Sequence, residues 1–314
     1  MHIAVMGAGA VGGYFGGLLA LAGHQVSFIA RGPHLAAMQA GGLSLQTGRG
    51  TLKITAARFV DSATQVGRCD LVLFAVKAYD IEAAAAPLKP LVDGGAHVVS
   101  VLNGVDHQDR IAAVLGAGCV MGGLAMVSGV ITAPGSIRYT TDMSSLRFGE
   151  ADGSLSRRAG AFRDACIGAG FDAEVVADIR AAQWSKFVAL ATNAALCSLF
   201  RLPVGCIYHD PDTIALALRG FEEVAALARA QGIAVAHDIA ARSLQVHQSF
   251  PKGMYASMFH DLNKGRPLEL DSLSGHVVRL GHALGVATPV HEMAYLALRP
   301  YQHGAPALPL PDGP

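Results

Sequence analysis

Glycines 7, 9 and 12 follow Met1-His2-Ile3-Ala4-Val5-Met6, a run of strand length, and precede residues small and apolar enough to continue as a helix. The order strand, G-x-G-x-x-G, helix is suited to holding a pyrophosphate. Gly7 permits a tight turn, Gly9 lets the backbone approach the phosphates, and Gly12 lets the helix pack close to the sheet. The segment Gly7-Ala8-Gly9-Ala10-Val11-Gly12 therefore reads as a dinucleotide-binding turn, with the phosphates at a helix N-terminus. In a chain with 37 glycines the motif draws its weight from this placement. The alternative is a glycine-rich turn that binds nothing.

The strand predicted over Gln25 to Ile29 bears on which dinucleotide is bound. An Asp or Glu at the end of this strand holds the ribose 2′-hydroxyl of NAD, whereas an Arg nearby accommodates the 2′-phosphate of NADP. Here the strand runs into Ala30 and Arg31, and the first acidic residue of the chain is Asp61. NADP, with NADPH as the reduced form, is the cofactor expected, and the alternative for Arg31 is a solvated loop arginine. Two further polar residues end predicted strands, Lys77 after Leu71 to Val76 and Asn103 after His97 to Leu102. In open parallel sheets ligands bind beyond the carboxyl ends of the strands, so both are candidates for the cofactor site.

The elements that must position these residues follow from the rest of the chain. A helical stretch over Ile81 to Leu91 between two strands gives a β-α-β alternation. Leu43 to Leu45 and Leu52 to Ile54 pair around Gly48-Arg49-Gly50. Ala125 to Val130, Ser136 to Thr140 and Leu146 to Phe148 read as an antiparallel extension of the sheet, followed by a helix near Ser154 to Ala169 and a strand over Phe171 to Val176. Beyond Asp178 the pattern is helical. Trp184, Phe187, Val188 and Ala191 form an apolar stripe, with Lys186 off it and Asn193 two turns on from Lys186. Phe221 to Ala230 is a helix that Gly232 closes. Ser257 and Asp261 lie one turn apart, and Pro267 suits the first turn of a helix bearing Glu269, Leu273, Val277 and Leu280. The expected fold class is α/β, a Rossmann-type domain over residues 1–177 followed by an all-helical domain over 178–303. The proline-rich tail, 304–314, is expected to be disordered.

Lys plus Arg equals Asp plus Glu at 24 each, so no overall field favours nucleic acid or an anionic membrane, and a small-molecule partner is the better expectation. Five scattered cysteines without a C-x-x-C pair argue against a disulfide framework and against zinc, and favour a reducing, cytoplasmic setting. None of the 13 histidines falls in a metal-ligand spacing. The uncharged run from Val114 to Ala133 has spanning length but is interrupted by glycines, and reads as buried strand and turn.

The chain resembles the ketopantoate reductase family (2-dehydropantoate 2-reductases) over nearly its whole length. The markers are the glycine turn, Arg31, Val76-Lys77-Ala78, Leu102-Asn103-Gly104, Trp184-Ser185-Lys186-Phe187, and Ser257-Met258 with Asp261, Arg266 and Glu269. The resemblance implies an N-terminal Rossmann domain, a helical C-terminal domain, an active site in the cleft between them, and NADPH-dependent reduction of a 2-oxo acid, the reductive step of pantothenate biosynthesis. It further implies Lys186 as proton donor, Arg31, Lys77 and Asn103 at the cofactor, Ser257 at the substrate, and Glu269 near nicotinamide and substrate, with Asn103 also facing the substrate. A partly buried lysine of lowered pKa both stabilises the oxygen's developing charge and supplies its proton.

One departure bears on the substrate. Family members that reduce ketopantoate place Asn one and two turns after the lysine, where this chain has Leu190 and Ala194; Asn193 is the neighbouring amide that could take over part of that role. The expectation is a 2-oxo acid bulkier or more apolar than ketopantoate. Two alternatives stay open: a hydroxy-acid or polyol-phosphate dehydrogenase of the wider Rossmann-plus-helical group, and a non-catalytic NADP-sensing protein. The sequence also leaves a homodimer open.

Overall fold

The computed structural model describes residues 1–306 apart from 49 and 140–143, so the middle of the 48–50 turn, Thr140 and most of the tail expected to be disordered lie outside the described residues. The chain divides into two compact units, Met1–Ala182 and Gln183–Pro314. The division falls inside a continuous helix, later than the boundary at 177 expected from the sequence.

The first unit opens with β1 (His2–Met6), α1 (Ala10–Leu21), β2 (Gln25–Ile29) and α2 (Gly32–Gly41), then β3 (Leu43–Thr47), β4 (Gly50–Ile54), β5 (Arg58–Val60) and β6 (Leu71–Phe74). Two short helices, α3 (Ile81–Ala85) and α4 (Lys89–Asp93), precede β7 (His97–Ser100), α5 (His107–Leu115) and β8 (Val120–Met126). The unit continues with β9 (Gly129–Ala133), β10 (Ser136–Tyr139), β11 (Ser145–Gly149), α6 (Arg157–Gly168) and β12 (Asp172–Val175). The main sheet has the order β12-β11-β8-β7-β6-β1-β2-β5. From β8 to β5 its neighbours are parallel, and β11 joins β8 antiparallel. Strand order reverses between β1 and β6, the point at which a doubly wound sheet leaves a crevice for a ligand. Core side chains fill both faces: Phe15, Phe28, Phe148 and Phe162 on one, Phe74, Ile81, Leu88 and Ile111 on the other.

Two expectations are corrected here. The helix over Ile81 to Leu91 is broken into α3, a 3-10 turn and α4, because Pro87 and Pro90 lack the N–H that a continuous helix needs. The stretch expected as one antiparallel extension splits. Ala125 and Met126 end β8 and stay in the main sheet with β11, while β9 and β10 leave to form a second sheet of order β4-β3-β10-β9. The run from Val114 to Ala133 ends α5 and supplies β8 and β9; no helix among the described residues is long and apolar enough to cross a membrane.

The second sheet exists because α1 is apolar on two sides. Cβ atoms at Gly12 and Gly16 would run into Val5, Ala75 and Phe28 of the main sheet's strands and their ends. At Gly13 and Gly17 they would meet Ile137, Leu43, Leu45 and Ile54 of the second sheet. These are two i, i+4 pairs set about 100° apart around one helix, so α1 is held against both sheets at close range.

Among the described residues the second unit has helices and no strand. It takes most of α7 (Ile179–Phe200), then α8 (Val204–Ile207), α9 (Pro211–Ala230), α10 (Ile239–Ser249), α11 (Ser257–Asn263), α12 (Ser274–Leu284) and α13 (Pro289–Leu298). The apolar stripe of α7 is fully buried, with Val188 and Ala191 at 0% exposure. Helix α9 starts well before Phe221 because Asp210 caps it, accepting from the N–H groups of Asp212 and Thr213. Glu223, buried in α9, accepts from Val290 N–H at 2.8 Å and His291 N–H at 3.1 Å, and so satisfies the N-terminus of α13. The helix expected from Pro267 begins only at Ser274: Leu268 N–H donates to Gln302 C=O, and Glu269 C=O accepts from Ser272 and Leu273 in a turn. Glu269 thus sits ahead of the helix, not in its first turn.

Candidate cofactor and active-site residues

The glycine turn lies at the strand-order reversal. Gly7 has φ +98°, its N–H donates to Ile29 C=O at 3.2 Å, and a Cβ there would lie 2.8 Å from Ala75 O. It is clamped between the ends of β2 and β6. A Cβ at Gly12 would collide with the Gly7 carbonyl, whereas Gly9 has nothing within 4 Å of where its Cβ would stand. The turn is therefore closed beneath and open above. Gly9 is the N-cap of α1, no side chain caps the helix, and its first turn contains no carboxylate. An anion approaching there meets backbone N–H groups of Ala10, Val11 and Gly12 and the positive end of the helix dipole. A pyrophosphate fits this cradle on both shape and charge.

His34 braces the turn and was not singled out by the sequence. Its Nδ1 accepts from Gly135 N–H at 3.0 Å, which leaves the proton on Nε2 to donate to Ala8 C=O at 2.9 Å. One imidazole ties α2 and the β9–β10 turn to the glycine turn. A lone histidine in a helix carries no signal of such a role.

Arg31 is the N-cap residue of α2, at the end of β2, with its side chain 83% exposed. Its Nη2 lies 2.6 Å from Asp80 Oδ2, an acceptor delivered from beyond β6. Lys77 is half-buried after β6 and precedes the 3-10 turn Ala78–Asp80. Asn103, half-buried, follows β7. The strand ends of β1, β2, β6 and β7 thus bring the glycine turn, Arg31, Lys77 and Asn103 to one edge of the main sheet.

In the second unit Lys186 lies half-buried on α7. Burial lowers its ammonium pKa to about 8, against an opposing pull from the Glu269 carboxylate. Glu269 itself is 6% exposed. The lysine and the carboxylate therefore share one electrostatic environment, although they are far apart in sequence and come from a helix and an irregular turn. Leu190 is half-buried and Ala194 buried. Asn193 is buried and its Oδ1 accepts from Tyr208 Oη at 3.1 Å and Cys197 Sγ at 3.3 Å, so the oxygen is taken up by protein donors. Ser257 is exposed at the first position of α11.

Two profiles match the chain, "Ketopantoate reductase PanE/ApbA" over residues 3–153 and "Ketopantoate reductase PanE/ApbA C terminal" over 178–302. Among curated proteins, a 2-dehydropantoate 2-reductase of Mesorhizobium japonicum is 31% identical over 320 residues, covering 95% of this chain and 96% of its own. Among solved structures, a PanE/ApbA family ketopantoate reductase from Ralstonia eutropha JMP134 superposes with a TM-score of 0.88 at 31% identity, covering 96% of this chain and 98% of that one. D-mandelate dehydrogenase in ternary complex with NADH and anilino(oxo)acetate gives the same TM-score at 22% identity, over 96% and 98% of the chains, a likeness of fold alone.

Proposed function

The chain belongs to the ketopantoate reductase family, oxidoreductases that act on CH–OH groups with a nicotinamide dinucleotide, and from that premise we propose that it reduces a 2-oxo acid to the 2-hydroxy acid with NADPH, Lys186 giving the proton. The observation that carries this reading is the half-buried Lys186, its pKa lowered to about 8 by desolvation and accompanied by the buried Glu269. Such a lysine holds its proton at neutral pH yet releases it at modest cost, as a general acid must. As the carbonyl oxygen gains charge, the Lys186 ammonium stabilises it and then transfers a proton from Nζ. Glu269 favours the protonated lysine before transfer.

The bound dinucleotide supplies the hydride. The Gly7–Gly12 turn would hold its pyrophosphate, Arg31 its 2′-phosphate, and Lys77 and Asn103 the portion nearer the nicotinamide, with Asn103 also toward substrate. Ser257 and the Asn193 amide nitrogen would bind the substrate, and Glu269 would lie near both. Leu190 and Ala194 favour a substrate side chain bulkier or more apolar than that of ketopantoate, because neither can pair with a polar group. If ketopantoate itself is the substrate, the protein serves pantothenate biosynthesis, as the name of its Mesorhizobium relative suggests.

The test is oxidation of NADPH and of NADH by purified protein against ketopantoate and a panel of 2-oxo acids with polar, aliphatic and aromatic side chains. The expected result is turnover with NADPH that is highest on the apolar acids and falls by about 10²-fold or more in Lys186→Ala. Near-normal turnover in Lys186→Ala would remove the mechanism, and equal rates across the panel would remove the substrate preference. Leu190→Asn and Ala194→Asn should move preference toward ketopantoate.

A further inference from the structure

Resting on the reading that Arg31 receives the 2′-phosphate, we propose that Asp80 is a cofactor-discriminating residue, one that narrows the preference for NADP(H) over NAD(H). Asp80 and Arg31 are brought together by the sheet order alone. Arg31 follows β2, Asp80 follows β6, and β1 with its glycine turn lies between them. Gly7 contacts both neighbours, bonding to Ile29 at the end of β2 and abutting Ala75 at the end of β6. The 2.6 Å ion pair therefore joins the two strand ends that flank the dinucleotide turn.

The pair has little reason to exist for stability. With the Arg31 side chain 83% exposed, an ion pair of this kind adds little to folding. Nor does Asp80 serve the helix it precedes. It occupies the N-cap position of α3 but makes no side-chain cap hydrogen bond there, although capping is what aspartate ordinarily does at that position. Its carboxylate is instead paired with Arg31, the cation that the NADP reading places at the 2′-phosphate.

Two effects on the cofactor follow. A 2′-phosphate must share or displace the carboxylate at the guanidinium and lies near a like charge, which weakens NADP(H). A 2′-hydroxyl meets an acceptor, since a carboxylate near the ribose is what holds the diol of NAD. The sequence offers no acid at the end of β2, and the fold supplies one from β6.

The test measures binding without substrate. Calorimetric titration of NADPH, NADH, 2′,5′-ADP and 5′-AMP is performed on the wild type, Asp80→Asn and Arg31→Ala, with circular dichroism to check folding. Asp80→Asn should tighten NADPH and 2′,5′-ADP by about fivefold, the scale of an exposed charge pair, and leave NADH and 5′-AMP unchanged or weaker. An affinity ratio of NADPH to NADH that is unchanged or lower in Asp80→Asn overturns the proposal. If Arg31→Ala collapses that ratio while Asp80→Asn does not move it, the NADP reading stands and this inference falls. If Arg31→Ala leaves the ratio unchanged, the NADP reading fails and takes this one with it.

Discussion

Lys186 illustrates how burial changes what a residue can do. An exposed lysine on a helix keeps its proton far above neutral pH and is a poor acid there; on α7, burial brings it to about 8 while Glu269 limits the fall. The sign for activity follows. Reduction needs the protonated amine, so its rate should be level below about pH 8 and fall roughly tenfold per pH unit above it, whereas oxidation of the hydroxy acid should rise through the same region and level off. Profiles of kcat/KM in both directions, which report the free enzyme, with the break displaced in Glu269→Gln to lower pH, check the assignment. A reduction profile that stays flat to pH 10 would separate Lys186 from the proton transfer.

At the scale of elements, α1 is the helix on which both sheets depend, and its four glycines are not equivalent. Alanine in place of a helical glycine gains up to about 1 kcal/mol of propensity, so the sign of each substitution depends on what the new methyl meets. At Gly16 it would stand 2.7 Å from Phe28 and from Val5, both wholly buried. Overpacking of that kind costs about 2 kcal/mol, and Gly16→Ala should lower the urea midpoint. At Gly13 the obstacle is the flexible end of Ile137, so Gly13→Ala should be close to neutral in the same experiment. A second element-level joint is Arg158 on α6, which donates Nε and Nη2 to Glu150 and Nη1 to His97 and to Gly118 C=O. Burial alone would raise the Glu150 pKa, but the hydrogen bonds from Arg158 and Ser156 outweigh it and hold the carboxyl below its ordinary value. A depressed carboxylate stabilises the fold above its unfolded pKa and loses that contribution as pH falls through the folded one. Arg158→Ala leaves the carboxylate half-stranded and should cost about 2 kcal/mol at neutral pH. The difference from wild type should shrink in acid, as read from urea melts at several pH values.

For the molecule as a whole, the residues assigned to the dinucleotide lie in the first unit except Glu269, and those assigned to proton transfer and the substrate's far end lie in the second. NADPH at a hundredfold excess over its dissociation constant should therefore stabilise the transition that contains the first unit by about 2.7 kcal/mol. Scanning calorimetry with and without NADPH checks this, and an unshifted first-unit transition at saturating NADPH would contradict the placement.

Much of the local structure was legible in the residues themselves. The glycine turn, β2 ending ahead of Arg31, and the buried stripe of α7 follow from backbone freedom and from apolar spacing, which act between neighbours in sequence. The break at Pro87 and Pro90 was written there as well, but the alanine-rich pattern around it outweighed it. What the chain alone did not determine is what depends on contacts between distant segments. The departure of β9 and β10 to a second sheet, the irregular turn holding Glu269, the inward commitment of Asn193 to Tyr208, and the brace from His34 all depend on partners outside the local stretch, from 15 residues away for Tyr208 to 101 for Gly135. The opening motif shows the division most clearly. Its glycines specify a phosphate-sized cradle by local geometry, and Arg31 supplies the charge. Only the order of strands in the folded sheet sets Asp80 against that arginine, because two strand ends with a third between them are neighbours in space and not in sequence.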